Sequence, residues 1–139
     1  MNALQKSVLL LLLLHLVLGI EARVYDIVMN KLEKGRTMTL HCKSNDNDLG
    51  YQIVEDGEEA QWSFSVNLWH TTLFYCNVRW DINSPWDHFD AFSYKRDHDR
   101  CQFECLWQRR HSGTLYGFNQ ATRKQEKFGY KKVSDFETQ

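Results

Sequence analysis

Four cysteines, Cys42, Cys76, Cys101 and Cys105, follow an apolar N-terminal run, and the chain has no others. An even count in a short exported chain is the mark of a disulfide framework, here two bridges holding one small domain. Four cysteines allow three pairings, and all three remain open. On an extended strand Cys101 and Cys105 lie roughly 13 Å apart. Cys42, Cys76 and Cys105 share a parity with apolar neighbours. The expectation is therefore Cys42–Cys105 with Cys76–Cys101.

The N-terminal run carries the argument for export. Lys6 precedes an apolar stretch from Ser7 to Ile20, interrupted by His15, and Ala22 supplies a small residue for cleavage. This is the pattern of a secretory signal peptide, residues 1–22. The stretch falls short of the roughly 20 residues of a membrane-spanning helix. No integral membrane segment is expected after cleavage. Residues 23–139 are then one secreted domain, expected to be a monomer, with a C-terminal tail that is basic from Arg123 to Lys132 and frayed from 133 to 139.

Alternating apolar positions fill that domain. Tyr25, Ile27 and Met29 alternate with Asp26 and Asn30, and Met38, Leu40 and Cys42 alternate with Thr39, His41 and Lys43. Leu49, Tyr51 and Ile53 follow, then Trp62, Phe64 and Val66. The longest alternation is Thr72, Phe74, Cys76, Val78 and Trp80, which predicts a central strand. Phe89 to Tyr94, then Phe103, Cys105 and Trp107, then Leu115 to Phe118 complete the series. Turn clusters separate them, and no long stretch has a helical period. This predicts an all-β fold, a small antiparallel β-sandwich of seven or eight short strands stapled by two disulfides.

Catalytic and metal signals are poor. His41 and Cys42 are strand neighbours and face opposite ways, and an exported cysteine in an even set is oxidised, not a free nucleophile. Cys101 and Cys105 with His98 lack the second ligand pair of a structural zinc site. Asn45 to Gly50 resembles a calcium loop, but Leu49 stands at its fifth position and Asp56, not Glu, at its twelfth. No cofactor or metal is expected. The formal net charge of −1 and pI near 6.6 give no reason to expect nucleic acid as a partner. No Asn-x-Ser/Thr sequon occurs, because Ser84 follows Asn83 directly and Pro85 comes next.

What remains is recognition through loops on a rigid scaffold. The candidates are Asn45, Asp46, Asn47 and Asp48; the acidic turn Glu55, Asp56, Glu58 and Glu59; and the loop tryptophans Trp69 and Trp86. Trp62, Trp80 and Trp107 have inward parity and are expected in the core.

With cysteines and tryptophans placed, the chain resembles the plant self-incompatibility S-protein homologue family. The matching pieces run in order from Leu40-His41-Cys42-Lys43-Ser44 and Asp48-Leu49-Gly50 through Trp62-Ser63-Phe64 and Thr71-Thr72-Leu73-Phe74-Tyr75-Cys76 with Trp80. Tyr94, Arg96-Asp97, Cys101, Cys105-Leu106-Trp107 and Gly113-Thr114-Leu115-Tyr116 continue the set. His70-Thr71 stands where the family commonly has glycine before its Thr-Leu-Phe segment, and Phe128 and Tyr130 stand near where it often ends on tryptophan. The resemblance implies a secreted, extracellular plant signalling ligand that binds an unknown cell-surface receptor. In poppies a family member is the stigma-secreted determinant of self-pollen rejection. Two further readings stand beside it. One is a secreted enzyme or inhibitor of the cell-wall space, using His41, His70 and His98. The other is a toxin-like defence protein applying the basic Arg123, Lys124, Lys127, Lys131 and Lys132 to membranes.

Overall fold

The computed structural model describes residues 1–18 and 23–131. The expected cleavage at Ala22 and the tail 133–139 lie outside those residues. An apolar helix, α1 (Ala3–Leu18), comes first, and its residues up to 16 are exposed and contribute nothing to the core. Among the described residues no helix is long and apolar enough to cross a membrane.

The domain that follows is built from strands β1 (Arg23–Lys31), β2 (Met38–Lys43), β3 (Asp48–Val54), β4 (Glu59–Ser65), β5 (Leu73–Arg79), β6 (Asp87–Ser93), β7 (Glu104–Arg110), β8 (Leu115–Asn119) and β9 (Lys124–Phe128). One short helix, α2 (Tyr94–Asp97), sits between β6 and β7. One sheet has the order β4-β1-β7-β8-β9 and the other β3-β2-β5-β6. The inner faces meet through aromatic rings: Phe64 with Phe74 at 4.6 Å, Phe64 with Phe92 at 4.9 Å, and Phe89 with Trp107 at 5.4 Å between centroids. These spacings match edge-on and tilted aromatic packing. The Trp107 indole N–H donates to Ala91 O at 2.9 Å, a polar tie between the sheets. Gly117 of β8 faces this layer. A Cβ there would lie 2.7 Å from Arg100 Nη1 and 2.8 Å from Phe128 Cε2, so the strand needs glycine where Arg100 and Trp107 stack.

The all-β sandwich agrees with the sequence, with four refinements. Nine strands are present among the described residues, because the basic stretch after Arg123 is an edge strand and not a tail. Phe128 anchors it, meeting Trp107 edge-on at 4.8 Å. One pairing, β1 with β7, is parallel, while the other strand pairings are antiparallel. The phase of β1 is reversed: Val24, Asp26, Val28 and Asn30 point inward, and Tyr25 is 49% exposed. Trp80 lies beyond the end of β5 and is 41% exposed, not core, whereas Trp107 is fully buried and Trp62 half-buried.

The disulfides also correct the expectation. They are Cys42–Cys76 and Cys101–Cys105, with Cα–Cα distances of 4.1 and 4.9 Å. Cys42 and Cys76 face each other directly across the β2–β5 ladder. Cys101 is not on an extended strand. Helix α2 curls the chain so that Cys101 N–H bonds to Asp97 O at 2.7 Å, and the backbone folds back before β7 starts. The 13 Å argument fails because its premise of an extended segment fails.

Candidate recognition surface

The strand directions divide the predicted recognition loops between two ends of the sandwich. Strand β1 starts, and β2, β4 and β6 finish, at what we call the upper end. The Asn45–Asn47 turn and the Trp69 loop lie there. The Glu55–Glu59 turn and Trp86 lie at the lower end, since β3 runs down into the former and β5 into the latter. The candidate residues therefore do not form one site.

At the upper end each loop is held by its own bonds. Ser44 N–H donates to Asn47 O at 2.8 Å, and Asn47 N–H donates to Ser44 Oγ at 3.2 Å, closing the β2–β3 turn above the Cys42–Cys76 bridge. Asn67 does the same for the β4–β5 loop. Its side chain accepts from Thr71 N–H at 2.9 Å and donates to Thr71 Oγ1 at 3.0 Å, while its backbone N–H donates to Thr72 Oγ1 at 2.8 Å. These side-chain bonds are the ones Asn and Thr make in tight turns. They push Leu68 and Trp69 out to 84% and 85% exposure, a two-residue apolar tip. The sequence pointed to Trp69 and missed Leu68, although an apolar doublet inside a polar loop was visible. Between the two loops the edges of β3 and β4 part. A cleft of about 590 Å³ opens there, floored by Leu49, Trp62 and Phe74 and rimmed by Arg23, Asn45 and Asn47.

Asp48 belongs to this region but not to the exposed turn. It opens β3, accepting from Gly50 N–H at 2.9 Å and pairing with His41 Nε2 at 2.6 Å. Those two bonds hold its carboxyl below the usual carboxylate range. His41 in turn packs against Tyr51 at 4.2 Å on the outer face of the sheet.

The lower end is tied loop to loop. Asp56 accepts from Glu33 N–H at 3.1 Å and Gly35 N–H at 2.9 Å, clamping the β1–β2 turn, where Glu33, Lys34 and Gly35 all have positive φ. Buried Asn30 donates to Arg36 O and Val54 O and accepts from Leu32 N–H. Buried Arg109 pairs with Asp87 at 2.7 Å and donates to Tyr130 Oη, whose hydroxyl bonds to Gly113 O. Burial pushes the Tyr130 phenol up to about 12. Trp86 carries the Arg79 guanidinium on its face at 4.3 Å. Sequence reasoning placed Asp56 among binding residues, and the structure gives it a clamping partner.

Of the histidines proposed for chemistry, two come together and one stands apart. His70 and His98 stack on Tyr94, at 4.1 and 5.0 Å, at the mouth of a second upper-end cavity, while His41 stays with Asp48 and Tyr51. Asp97, Cys101 and Cys105 place a carboxylate oxygen and two sulfurs within 4.8 Å, but the sulfurs are bonded to each other and offer no thiolate. Asp97 is fully buried and paired with Arg96 and Arg100. Asp26, level with Cys105 on the neighbouring strand, is as deeply buried, yet its carboxyl oxygens have no hydrogen-bond partner among the described residues. Desolvation first, and the Asp97 charge second, push its pKa well above the carboxylate range.

Comparison with known proteins places this architecture. Residues 27–131 match the family model described as plant self-incompatibility protein S1. The chain is 43% identical over 94 residues to self-incompatibility protein S1 of Papaver rhoeas, covering 67% of this chain and 66% of that protein. It is 37% identical over 86 residues to S-protein homolog 5 of Arabidopsis thaliana, covering 62% of this chain and 65% of that one. The matches thus span just under two thirds of these relatives. A solved structure shares the fold with a TM-score of 0.58 at 17% identity, covering 83% of this chain and 95% of that one. It is described as belonging to the self-incompatibility protein homologues, a widespread family of small, highly stable, secreted plant proteins. With the family model spanning the whole sandwich, the chain belongs to the plant self-incompatibility protein S1 family, whose members are small secreted β-proteins.

Proposed function

We propose that this protein is a secreted recognition ligand that binds a plant cell-surface receptor through the upper end of its sandwich. The observation that carries the reading is the Leu68–Trp69 tip. Two large apolar side chains sit almost fully exposed on a loop fixed by the Asn67 hydrogen bonds. Aromatic side chains on a preorganised loop are strong binding anchors, because little conformational freedom is lost on contact. The Asn45–Asn47 turn beside it adds polar contacts, with Asp48 held to His41 at its base, and the Glu55–Glu59 turn and Trp86 are left to structural roles. In this reading residues 1–22 direct export and are removed, and the chain acts as a monomeric ligand without catalysis. The placing of His41 apart from His70 and His98 supports the last point. Self-pollen rejection is one process such a ligand serves, in keeping with the self-incompatibility named in the poppy relative.

Binding of the labelled secreted protein to pollen and to other plant cells tests the reading. Saturable binding is expected, and it is lost when Asn45–Asn47 and Leu68–Trp69 are exchanged together for Gly-Ser segments. Undiminished binding by that exchange variant sinks the assignment of the upper end.

A further inference from the structure

We propose that the cleft between the β2–β3 turn and β4 is a saccharide subsite that takes a neutral pyranose chain. This rests on the recognition reading and names the chemistry its partner presents beside the Leu68–Trp69 tip. A sugar ring offers an apolar C–H face and a rim of hydroxyls that both donate and accept. The cleft has the matching parts. Its floor is the half-buried Trp62, with Leu49 and Phe74 beside it. The rim carries Asn45, Asp46, Asn47 and Ser65.

Three details favour this class. The side chains of Asn45, Asp46 and Asn47 make no hydrogen bond among the described residues, while the backbone beneath them is fixed by the Ser44–Asn47 pair. Side-chain amides pair with hydroxyls in either direction, so such a rim is ready without rearrangement. The charges also argue for a neutral ligand. Arg23 and Asp46 bring one charge of each sign to the rim, so the cleft offers an acidic sugar no net attraction. The volume falls within the range of about 300–1,000 Å³ usual for small-molecule sites.

Tryptophan fluorescence and calorimetry on the secreted protein test it, with cellohexaose, a free mannose-rich N-glycan and hexagalacturonate as probes. Saturable binding of cellohexaose or the N-glycan supports the proposal. The first outcome points to a wall glucan as the source and the second to a receptor glycan. Trp62→Ala is expected to weaken binding at least about tenfold, and Asn45→Ala and Asn47→Ala about threefold each. The two asparagine variants keep the test decisive if Trp62→Ala, which also packs on Phe74, does not fold. The proposal is overturned by no response to either neutral probe up to about 10 mM, by tighter binding of hexagalacturonate, or by neutral-sugar binding indifferent to the asparagine variants. Cell binding that depends on the upper loops but ignores excess neutral sugar also overturns it while sparing the recognition reading. Sugar binding without cell binding does the reverse.

Discussion

The two ends of the sandwich solve the same problem, how to finish a bundle of strands, in opposite ways. At the lower end, loops from different parts of the chain bond to one another: Asp56 to the β1–β2 turn, Asn30 to Arg36 and Val54, and Arg36 to His111 O. At the upper end the β2–β3 and β4–β5 loops bond within themselves and leave apolar and amide side chains outside. Strand β1 carries the contrast into the core. Asn30, toward the lower end, has all its side-chain groups met by backbone partners, whereas Asp26, toward the upper end, has neither carboxyl oxygen met. The lower end ties its loops to one another, and the upper end leaves the side chains of the proposed recognition surface in water.

Breaking the lower end gives the largest expected effect. Asn30→Ala removes two donors and an acceptor at a fully buried position and leaves Arg36 O, Val54 O and Leu32 N–H unmet. Urea unfolding is expected to show a loss of about 3 kcal/mol. Asp26→Asn sharpens the contrast with the opposite sign. Because the folded carboxyl titrates above its ordinary 3.8, it is neutral in both states at low pH and no charge is buried there. As pH rises past that value the unfolded chain ionises first and stability falls, until the folded carboxyl ionises too. The amide cannot ionise, so the variant is expected to be more stable than the parent at pH 7 and to match it below about pH 4. A parent whose stability climbs steadily between those pH values while the variant stays flat contradicts the assignment.

The same two residues show where the sequence was legible and where it was not. Strand β2 has apolar residues on one face only and β5 has most of them on one, so the parity of Met38, Leu40, Cys42, Phe74, Cys76 and Val78 gave the right phase. Strand β1 has apolar residues on both faces, and Tyr25, Ile27 and Met29 outweigh Val24 and Val28 in hydrophobicity. The inward face holds Asp26 and Asn30, and only tertiary partners explain why polar groups are there. The Cys101–Cys105 bridge was hidden for a similar reason, since α2 has only four residues and too little pattern to announce a turn. Strand β9 was masked by its charges: as an edge strand it needs only Phe128 to hold it against Trp107. For the candidate site, loop membership was readable but the end each loop reaches was not. That depends on strand order, which puts Trp69 beside Asn45–Asn47 and leaves Glu55–Glu59 at the far end.

Asp56→Ala and Trp69→Ala make the comparison quantitative in its smallest terms. Asp56 receives two backbone N–H bonds, both at exposed sites where water competes, so its loss is expected to cost about 1 kcal/mol. Cell binding by that variant is expected to stay unchanged. Trp69 has 85% of its surface in water, makes no ring contact among the described residues, and rides on a loop whose shape is set by Asn67. Its replacement by alanine is expected to move stability by less than about 0.5 kcal/mol. Binding to cells is expected to fall at least about tenfold, the loss typical of a central aromatic anchor. If Trp69→Ala lowered stability as much as Asp56→Ala while binding held, the upper end would be a structural cap like the lower one, and the difference between the two ends would lose its functional meaning.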